Sequence, residues 1–372
     1  MAAKKTGLMY SDEFARYNAG RGYLVFPEGM IPFMTGGDYY DTPERVTDAH
    51  EMLEKTGLLS SLVPIEATAA DDEALRGFHS DEYLDKLRAM SQGEGGMAGP
   101  MAQVGRGVFD VIRLEAGGDM NALDAVMKGE VRNAFCLQRP PAGHAERSSG
   151  FGFCIFNNFN LIVKRAREAY GLKRIMIIDF DNHYKKGIED AWYGTDEVLY
   201  AEVHQTGSLE ENSGADRRAD MVGEGKGKGF NVVIPMPAGA GDGAYLKAFR
   251  EIIEPIGDQY KPELIVLVAG YASNTFDPLC RQQLTADGYG ELTRIVQGIA
   301  DRHAQGRVLA VLEGGKGNYM AYCITRTIEA LSGLSSGVED PVKPLLARRG
   351  LTKAEVEAID EVKQILSPYW KL

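Results

Sequence analysis

The chain has 372 residues, of which 44% are hydrophobic and 25% charged, and this composition is typical of a globular protein with one large α/β domain or two smaller ones. Its formal net charge is −12 without any block of lysine and arginine, which disfavours nucleic acid and anionic membranes as partners. The sequence contains no apolar run of membrane-spanning length and no apolar region of a signal peptide. Its four cysteines are widely spaced and form no CxxC pair, which indicates a reducing compartment. We therefore expect a soluble cytoplasmic protein.

The N-terminal part of the chain is rich in glycine and aromatic residues and shows no sustained period. We expect a short strand at 7–10 and then a long loop over about 17–42. A helix is predicted to begin at Thr42-Pro43-Glu44, because threonine can cap a helix, proline suits the first turn and glutamate favours the helix dipole. Helical spacing of apolar residues also covers 80–90 and 104–127, the second interrupted by Gly117-Gly118.

The rest of the chain alternates between apolar strands and amphipathic helices. Strands are predicted at 134–137, 175–178, 198–203, 232–235, 264–269 and 308–312. Helices are predicted near 158–170, 244–256, 288–304 and 318–332. Continuous apolar strands separated by helices indicate a mostly parallel sheet with helices on both faces. Because no linker or change of composition divides the chain, we expect a single α/β domain over residues 1–372.

Candidate site residues follow the strands, because ligands of open α/β sheets bind beyond the carboxyl ends of the strands. The segment IMIIDFDNHYKKG at 175–187 carries Asp179, Asp181 and His183 at alternate positions, so their side chains are expected on one side of an extended segment. Two carboxylates and an imidazole suit a zinc or iron-type ion better than calcium or magnesium. Alternatively, the aspartates cap the following helix and His183 is an ordinary loop histidine.

Other strand ends add polar groups at the same edge of the predicted sheet. They are Arg139-Pro140-Pro141 and His144, then His204, then Asp277-Pro278-Leu279, and finally Glu313-Gly314-Gly315-Lys316. Three of the six histidines therefore fall at one edge, whereas His50, His79 and His303 lie on or near helices.

Eight short motifs together resemble the histone deacetylase, acetylpolyamine amidohydrolase and acetoin-utilisation family over roughly residues 7–335. They are TPER at 42–45, HSDEY at 79–83, RPP at 139–141, GFCIFNN at 152–158, DFDNH at 179–183, HQ at 204–205, DPL at 277–279 and EGG at 313–315. The resemblance implies an arginase/deacetylase-type domain and zinc-dependent hydrolysis of acylated lysines, polyamines or other small acyl amides. It also implies a structural monovalent cation such as K+, a homo-oligomer, and Phe153 as a wall of the acyl-chain tunnel.

Several catalytic positions depart from the family motifs. Where the family has RPPGHHA, this chain reads RPPAGHA, so Gly143 replaces the first of two histidines and His144 remains. Where the family has DxDxHHGNG, this chain reads DFDNHYKKG, which places Lys186 at the asparagine. Ala272 stands where the family has the aspartate that supplies the third metal ligand. Lys316 stands where the family has the tyrosine that polarises the substrate carbonyl.

The resemblance therefore implies Asp181 and His183 as metal ligands and His144 as the general base. Two protein ligands are fewer than the three of a catalytic zinc site, so we expect weak metal binding. Lys186, if near His144, lowers its basicity. Lys316 is expected either to stabilise an oxyanion or to fill the metal position with its own charge.

A second interpretation is a relative with a binding or regulatory role, or an engineered protein, whose metal site is incomplete. In that case Asp179 and Asp181 need compensation for their charge, and the lysines at 185, 186 and 316 are candidates to provide it.

Overall fold

The computed structural model describes residues 5–18, 20–23, 26–27, 29–33, 37–38, 40–207, 218–346 and 350–372. Its strands, in chain order, are β1 Thr6–Met9, β2 Arg21–Tyr23, β3 Phe26–Pro27, β4 Gly37–Asp38, β5 Val63–Ile65, β6 Gly96–Gly99, β7 Ala102–Val104, β8 Asn133–Cys136, β9 Ile175–Asp179, β10 Val198–Gln205, β11 Asn231–Met236, β12 Leu264–Ala269 and β13 Val308–Leu312.

Eight of these strands form one parallel sheet in the order β11-β10-β9-β12-β13-β8-β1-β5. The six apolar strands predicted in the second part of the sequence all lie in this sheet, which confirms the fold class. Strands β2, β3 and β4 form a small antiparallel sheet inside the segment predicted as a loop over 17–42, and β6 pairs with β7. Strands of two or three residues are too short for a period to reveal them.

The helices cover both faces of the eight-stranded sheet. They are α1 Glu44–Lys55, α2 Asp72–Leu75, α3 Asp81–Gln92, α4 Val108–Met127, α5 Asn158–Tyr170, α6 Lys186–Trp192, α7 Asp242–Ala248, α8 Glu254–Tyr260, α9 Ala286–His303, α10 Met320–Ser332, α11 Lys343–Leu346 and α12 Lys353–Leu366. A π-helical turn at Phe249–Ile253 joins α7 to α8. No helix in the described ranges has both the length and the apolar character needed to cross a membrane.

The alternation of side chains along β9 shows how the two faces are buried. Met176 and Ile178 belong to the core beneath α1 and α7 to α10, whereas Ile175 and Ile177 belong to the core beneath α4 and α5. All four side chains are fully buried, as expected for a central strand of a parallel sheet.

Helix α4 is continuous through Gly117-Gly118, so the predicted interruption is wrong. The two glycines serve close packing instead of breaking the helix. A Cβ atom at 117 would collide with the carbonyl oxygen of Thr68, and one at 118 would lie 2.7 Å from the sulfur of Met9. The helix begins at Val108, later than predicted, because Val104 still belongs to β7.

A buried guanidinium holds both ends of the segment predicted as a loop. Arg139 Nη1 donates to the carbonyl of Tyr17 at 2.7 Å, and its Nη2 donates to the carbonyl of Asp41 at 2.9 Å. The Asp41 carboxylate also pairs with Arg45, whose Nε donates to the carbonyl of Gly315 at 2.8 Å. The start of α1 is thereby fixed to the loop that follows β13.

Candidate functional site

The candidate site lies at the carboxyl edge of four neighbouring strands, β8, β13, β12 and β9. The chain leaves these strands toward His144, Lys316, Ala272 and the pair Asp181 and His183, respectively. Because parallel strands end at the same edge, residues far apart in sequence meet there.

Asp181 forms a buried ion pair with Lys185. The Lys185 ammonium lies 2.5 Å from Asp181 Oδ2 and donates to the carbonyl of His183 at 2.6 Å. The other carboxylate oxygen accepts the backbone N–H of Ala272 at 3.1 Å. Burial acts to raise the pKa of Asp181, but the Lys185 ammonium and His183 overcome this effect and lower the pKa, which favours the anion.

Asp179 interacts with the backbone and with β10. Its Oδ1 accepts the N–H of Asp181 at 2.8 Å, and its Oδ2 accepts the hydroxyl of Tyr200 at 3.1 Å. Burial raises the pKa of Asp179 well above its usual range; the Lys185 ammonium opposes this shift and the Asp181 charge adds to it. Asp179 therefore supports the turn that carries Asp181.

His183 and His144 lie near each other in the pocket. His183 Nδ1 is 4.0 Å from Asp181 Oδ2, its Nε2 is 3.4 Å from the Cys280 sulfur, and its ring centroid is 6.4 Å from that of His144. Burial, followed by the charges of Lys185 and His183, lowers the pKa of His144 well below the usual histidine value. His144 is therefore a neutral imidazole at pH 7 and can accept a proton.

Gly143 contributes backbone only, and the Lys185 side chain fills the space beside it. A Cβ atom at 143 would lie 3.0 Å from Lys185 Cδ and 3.1 Å from a carboxylate oxygen of Glu313. The N–H of Gly143 donates to that carboxylate at 3.1 Å. Burial raises the pKa of Glu313, and the Lys185 ammonium opposes the shift.

The structure places Lys186 outside this group, which corrects the position expected beside His144. Its ammonium pairs with Asp190 and with Glu146 at 3.4 Å, and 41% of its side chain is exposed. Lys186 is the first residue of α6, so its side chain leaves the backbone in a different direction from that of Lys185. The cation near His144 is Lys185.

Phe153 and Tyr40 form an aromatic pair beside this cluster of polar residues. The ring of Phe153 stacks on Tyr40 with centroids 4.8 Å apart, and Tyr40 donates its hydroxyl to Asp277 at 2.7 Å. The Lys316 ammonium lies 5.9 Å from the Tyr40 ring centroid, and the N–H of Lys316 donates to Asp277 at 2.9 Å. Lys316 is thus associated with the aromatic pair.

The residues at the implied zinc position do not fit a three-ligand zinc site. Ala272 has no donor atom in its side chain, and its N–H occupies one oxygen of Asp181. The Lys185 ammonium occupies the other oxygen, where a second cation would be repelled. Among the residues that the structure describes, no group of three or more His, Cys, Asp or Glu side chains is arranged to hold a metal ion.

Sequence reasoning missed Tyr40 and Cys280, and it placed Asp277 and Glu313 at this edge of the sheet without assigning a role to either. Lys185 was one of three lysines considered as a charge partner for the aspartates. A signal for it was present, because Lys185 stands at the first glycine of DxDxHHGNG, where a long side chain must find space beside the metal ligands.

The eight-stranded parallel sheet, with the cluster of polar residues at its carboxyl edge, forms an α/β domain of the arginase/deacetylase type. A family model described as "Histone deacetylase domain" matches residues 39–331. The chain therefore belongs to the histone deacetylase family, which confirms the resemblance.

Individual relatives extend over nearly the whole chain. The "Histone deacetylase-like amidohydrolase" of Pseudomonas aeruginosa is 34% identical over 345 residues, which are 92% of this chain and 90% of the relative. The "Polyamine deacetylase HDAC10" of Homo sapiens is 32% identical over 89% of this chain, which spans about half of that longer protein. The solved HD domain of HDA15 has the same fold, with a TM-score of 0.85 at 24% identity, and the match covers 99% of this chain and 96% of that domain.

Proposed function

We propose that the protein binds a small acyl amide, such as an acylated lysine or polyamine, and hydrolyses it slowly. The names of the Pseudomonas aeruginosa amidohydrolase and the human polyamine deacetylase support this substrate class. The observation that carries the proposal is the stacked Phe153 and Tyr40 pair, with centroids 4.8 Å apart, next to Lys316. Flat apolar faces bind an acyl chain, while a nearby ammonium meets its carbonyl oxygen.

In this proposal His144 is the general base and Lys316 is the electrophile. His144 accepts a proton from the attacking water, and its neutral state supports that role. It then returns this proton to the amine nitrogen as the C–N bond of the tetrahedral intermediate breaks, which releases the amine and the carboxylic acid. Its lowered pKa also makes it a weak base, so turnover is expected to be slow. The Lys316 ammonium donates to the carbonyl oxygen and stabilises the negative charge that develops on it.

Zinc, if bound between Asp181 and His183, would polarise the carbonyl and activate water. The ion pair between Asp181 and Lys185 and the alanine at 272 argue against that binding mode. The proposed steps therefore use only groups of the chain itself.

A second candidate function is acyl-amide binding without turnover. The buried contact of 2.5 Å between Lys185 and Asp181 favours it, because a pocket that rejects the metal loses the main electrophile of the family. A protein that keeps the residues that bind the acyl amide but does not hydrolyse it could sense or sequester its ligand.

The test is to measure binding and acetate release separately with the purified protein. An acetylated lysine peptide and an acetylated polyamine are each titrated by calorimetry and then incubated with chelator, with added zinc, or with neither. We expect binding to weaken about 10-fold or more in Phe153→Ala and to persist in Lys186→Met, the matched surface control. Acetate release that persists in chelator supports hydrolysis, and binding without release supports the second candidate. Absence of binding to both ligands would contradict the shared substrate class.

We also propose that the chain forms a homo-oligomer. The side chains of Met30 and Phe33, in the segment predicted as a loop, are 65% and 106% exposed, which supports contact with another protein surface. Light scattering should give a mass above that of one chain, and the double variant Met30→Ser/Phe33→Ser should shift it toward the monomer.

A further inference from the structure

Lys185 is a fully buried lysine whose charge is matched locally. Its exposed fraction is 0%, and its ammonium contacts the Asp181 carboxylate and the carbonyl oxygen of His183. A buried ammonium is stable only where anions and acceptors replace water.

Relative to the family motifs, a small residue replaces a large one at 143 and a large residue replaces a small one at 185. Those motifs have a histidine at the first of these positions and a glycine at the second, whereas this chain has Gly143 and Lys185. In the structure the two positions touch, since a Cβ atom at 143 would lie 3.0 Å from Lys185 Cδ and 3.2 Å from its Cε. A side chain at 143 would therefore compete with the lysine methylenes for the same space, which links the two replacements.

The replacement at 272 completes the charge balance. A divalent ion held by two aspartates leaves no net charge, and so does one ammonium held by one aspartate. With alanine at 272, the N–H of that residue donates to Asp181 Oδ1 while Lys185 holds Oδ2, so both oxygens of Asp181 have partners. Gly143, Lys185 and Ala272 therefore all lie around the Asp181 carboxylate or its ion-pair partner.

We propose that the Lys185 ammonium is the resident cation of this pocket and takes the place of a divalent metal ion beside Asp181. The folded protein keeps the architecture of the site without metal, and Lys185 prevents zinc from binding tightly. This inference concerns the charge of the site and holds whether or not acyl amides are hydrolysed.

The first experiment compares two neighbouring lysines by thermal unfolding. Lys185→Met keeps most of the side-chain volume and removes the charge, which leaves Asp181 buried and uncompensated. We expect the melting temperature to fall by roughly 5 °C or more. Lys186→Met is the matched control, because its ammonium forms partly exposed ion pairs, and should shift the melting temperature by no more than about 1 °C. Equal shifts in the two variants would overturn the proposal.

The second experiment is a zinc titration of four proteins: the unmodified chain, Ala272→Asp, Lys185→Gly and the double variant. We expect weak binding by the unmodified chain and by Ala272→Asp, whose new carboxylate would pair with Lys185. The double variant offers two aspartates and a histidine without the competing ammonium, so its affinity should exceed that of either single variant by at least ~100-fold.

Two outcomes of the titration would overturn the proposal. One is tight stoichiometric zinc in the unmodified protein purified without chelator. The other is an Ala272→Asp affinity equal to that of the double variant, since Lys185 would then offer no obstacle. The zinc content of the unmodified protein is measured without any variant, so it tests the proposal even if Lys185→Met does not fold. Neither readout requires turnover, which separates this proposal from the proposed function.

Discussion

The hydroxyl of Tyr40 donates to the Asp277 carboxylate at 2.7 Å and so joins the segment before α1 to the loop after β12. The same carboxylate oxygen accepts the N–H of Lys316 at 2.9 Å. Asp277 therefore positions the aromatic pair and the proposed electrophile together. We expect Asp277→Ala to weaken acyl-amide binding about 10-fold, while Tyr40→Phe, which keeps the stacked ring, has a smaller effect. Calorimetry of both variants checks the order; a larger loss in Tyr40→Phe would contradict it.

Removal of the Asp179 carboxylate should affect stability more than activity. Asp179→Ala leaves the N–H of Asp181 and the hydroxyl of Tyr200 without their acceptor, at a cost of about 2 kcal/mol in the free energy of unfolding. Denaturant unfolding and acetate release are measured on the same preparations, with Tyr200→Phe as the control that removes one of the two contacts. An unchanged free energy of unfolding with abolished turnover would assign Asp179 a direct catalytic role.

Lys316 should matter for turnover and little for stability. If its ammonium meets the acyl carbonyl, Lys316→Met lowers hydrolysis by ~10²–10³ and leaves the melting temperature nearly unchanged. Lys316→Tyr, which provides a hydroxyl donor, should recover part of the rate. A large loss of stability that added zinc restores would instead place the Lys316 charge at the aspartates.

The buried carboxyl of Asp119 should make stability depend on pH. Burial raises its pKa to about 7, while the Cys136, Asn158 and Gln138 side chains oppose the shift. The pKa of Asp119 in the folded protein exceeds its value near 3.9 in the unfolded chain. The protonated carboxyl therefore adds its full stabilisation at pH values below about 3.9, and this stabilisation is lost as the pH rises through about 7. We expect Asp119→Asn to be more stable than the unmodified protein at pH 8, with the difference shrinking toward pH 4. A difference independent of pH, measured by denaturant unfolding, would refute the assignment.

The central sheet was readable from the sequence because its strands are continuous apolar runs. The prediction at 175–178 agrees with β9 within one residue, since a strand buried on both faces leaves a strong local signal. The interruption at Gly117-Gly118 was wrong because the reason for those glycines is the distant Thr68 and Met9, which sequence spacing does not show. Helix α12 was missed, although the capping box of Thr352 and Glu355 is a local signal for its start.

The candidate site was only partly readable, for a different reason. Asp181, His183 and His144 stand where strands end, so the topology rule alone brings them together. Lys185 and Lys186 are adjacent and chemically identical, and only the start of α6 determines which of them turns inward. The contact between Tyr40 and Asp277 joins residues 237 positions apart and leaves no trace in local pattern.

The hydrogen bonds from Arg139 to the carbonyls of Tyr17 and Asp41 have a practical consequence for protein engineering. One guanidinium closes the base of the intervening segment, so both ends of that segment are held by a contact that does not involve the residues between them. Because loop-closure entropy rises slowly with length, that segment is a natural place for grafting. An insertion between the two anchors should leave the Arg139 contacts in place, whereas Tyr40 must be kept because its ring stacks on Phe153 and its hydroxyl donates to Asp277.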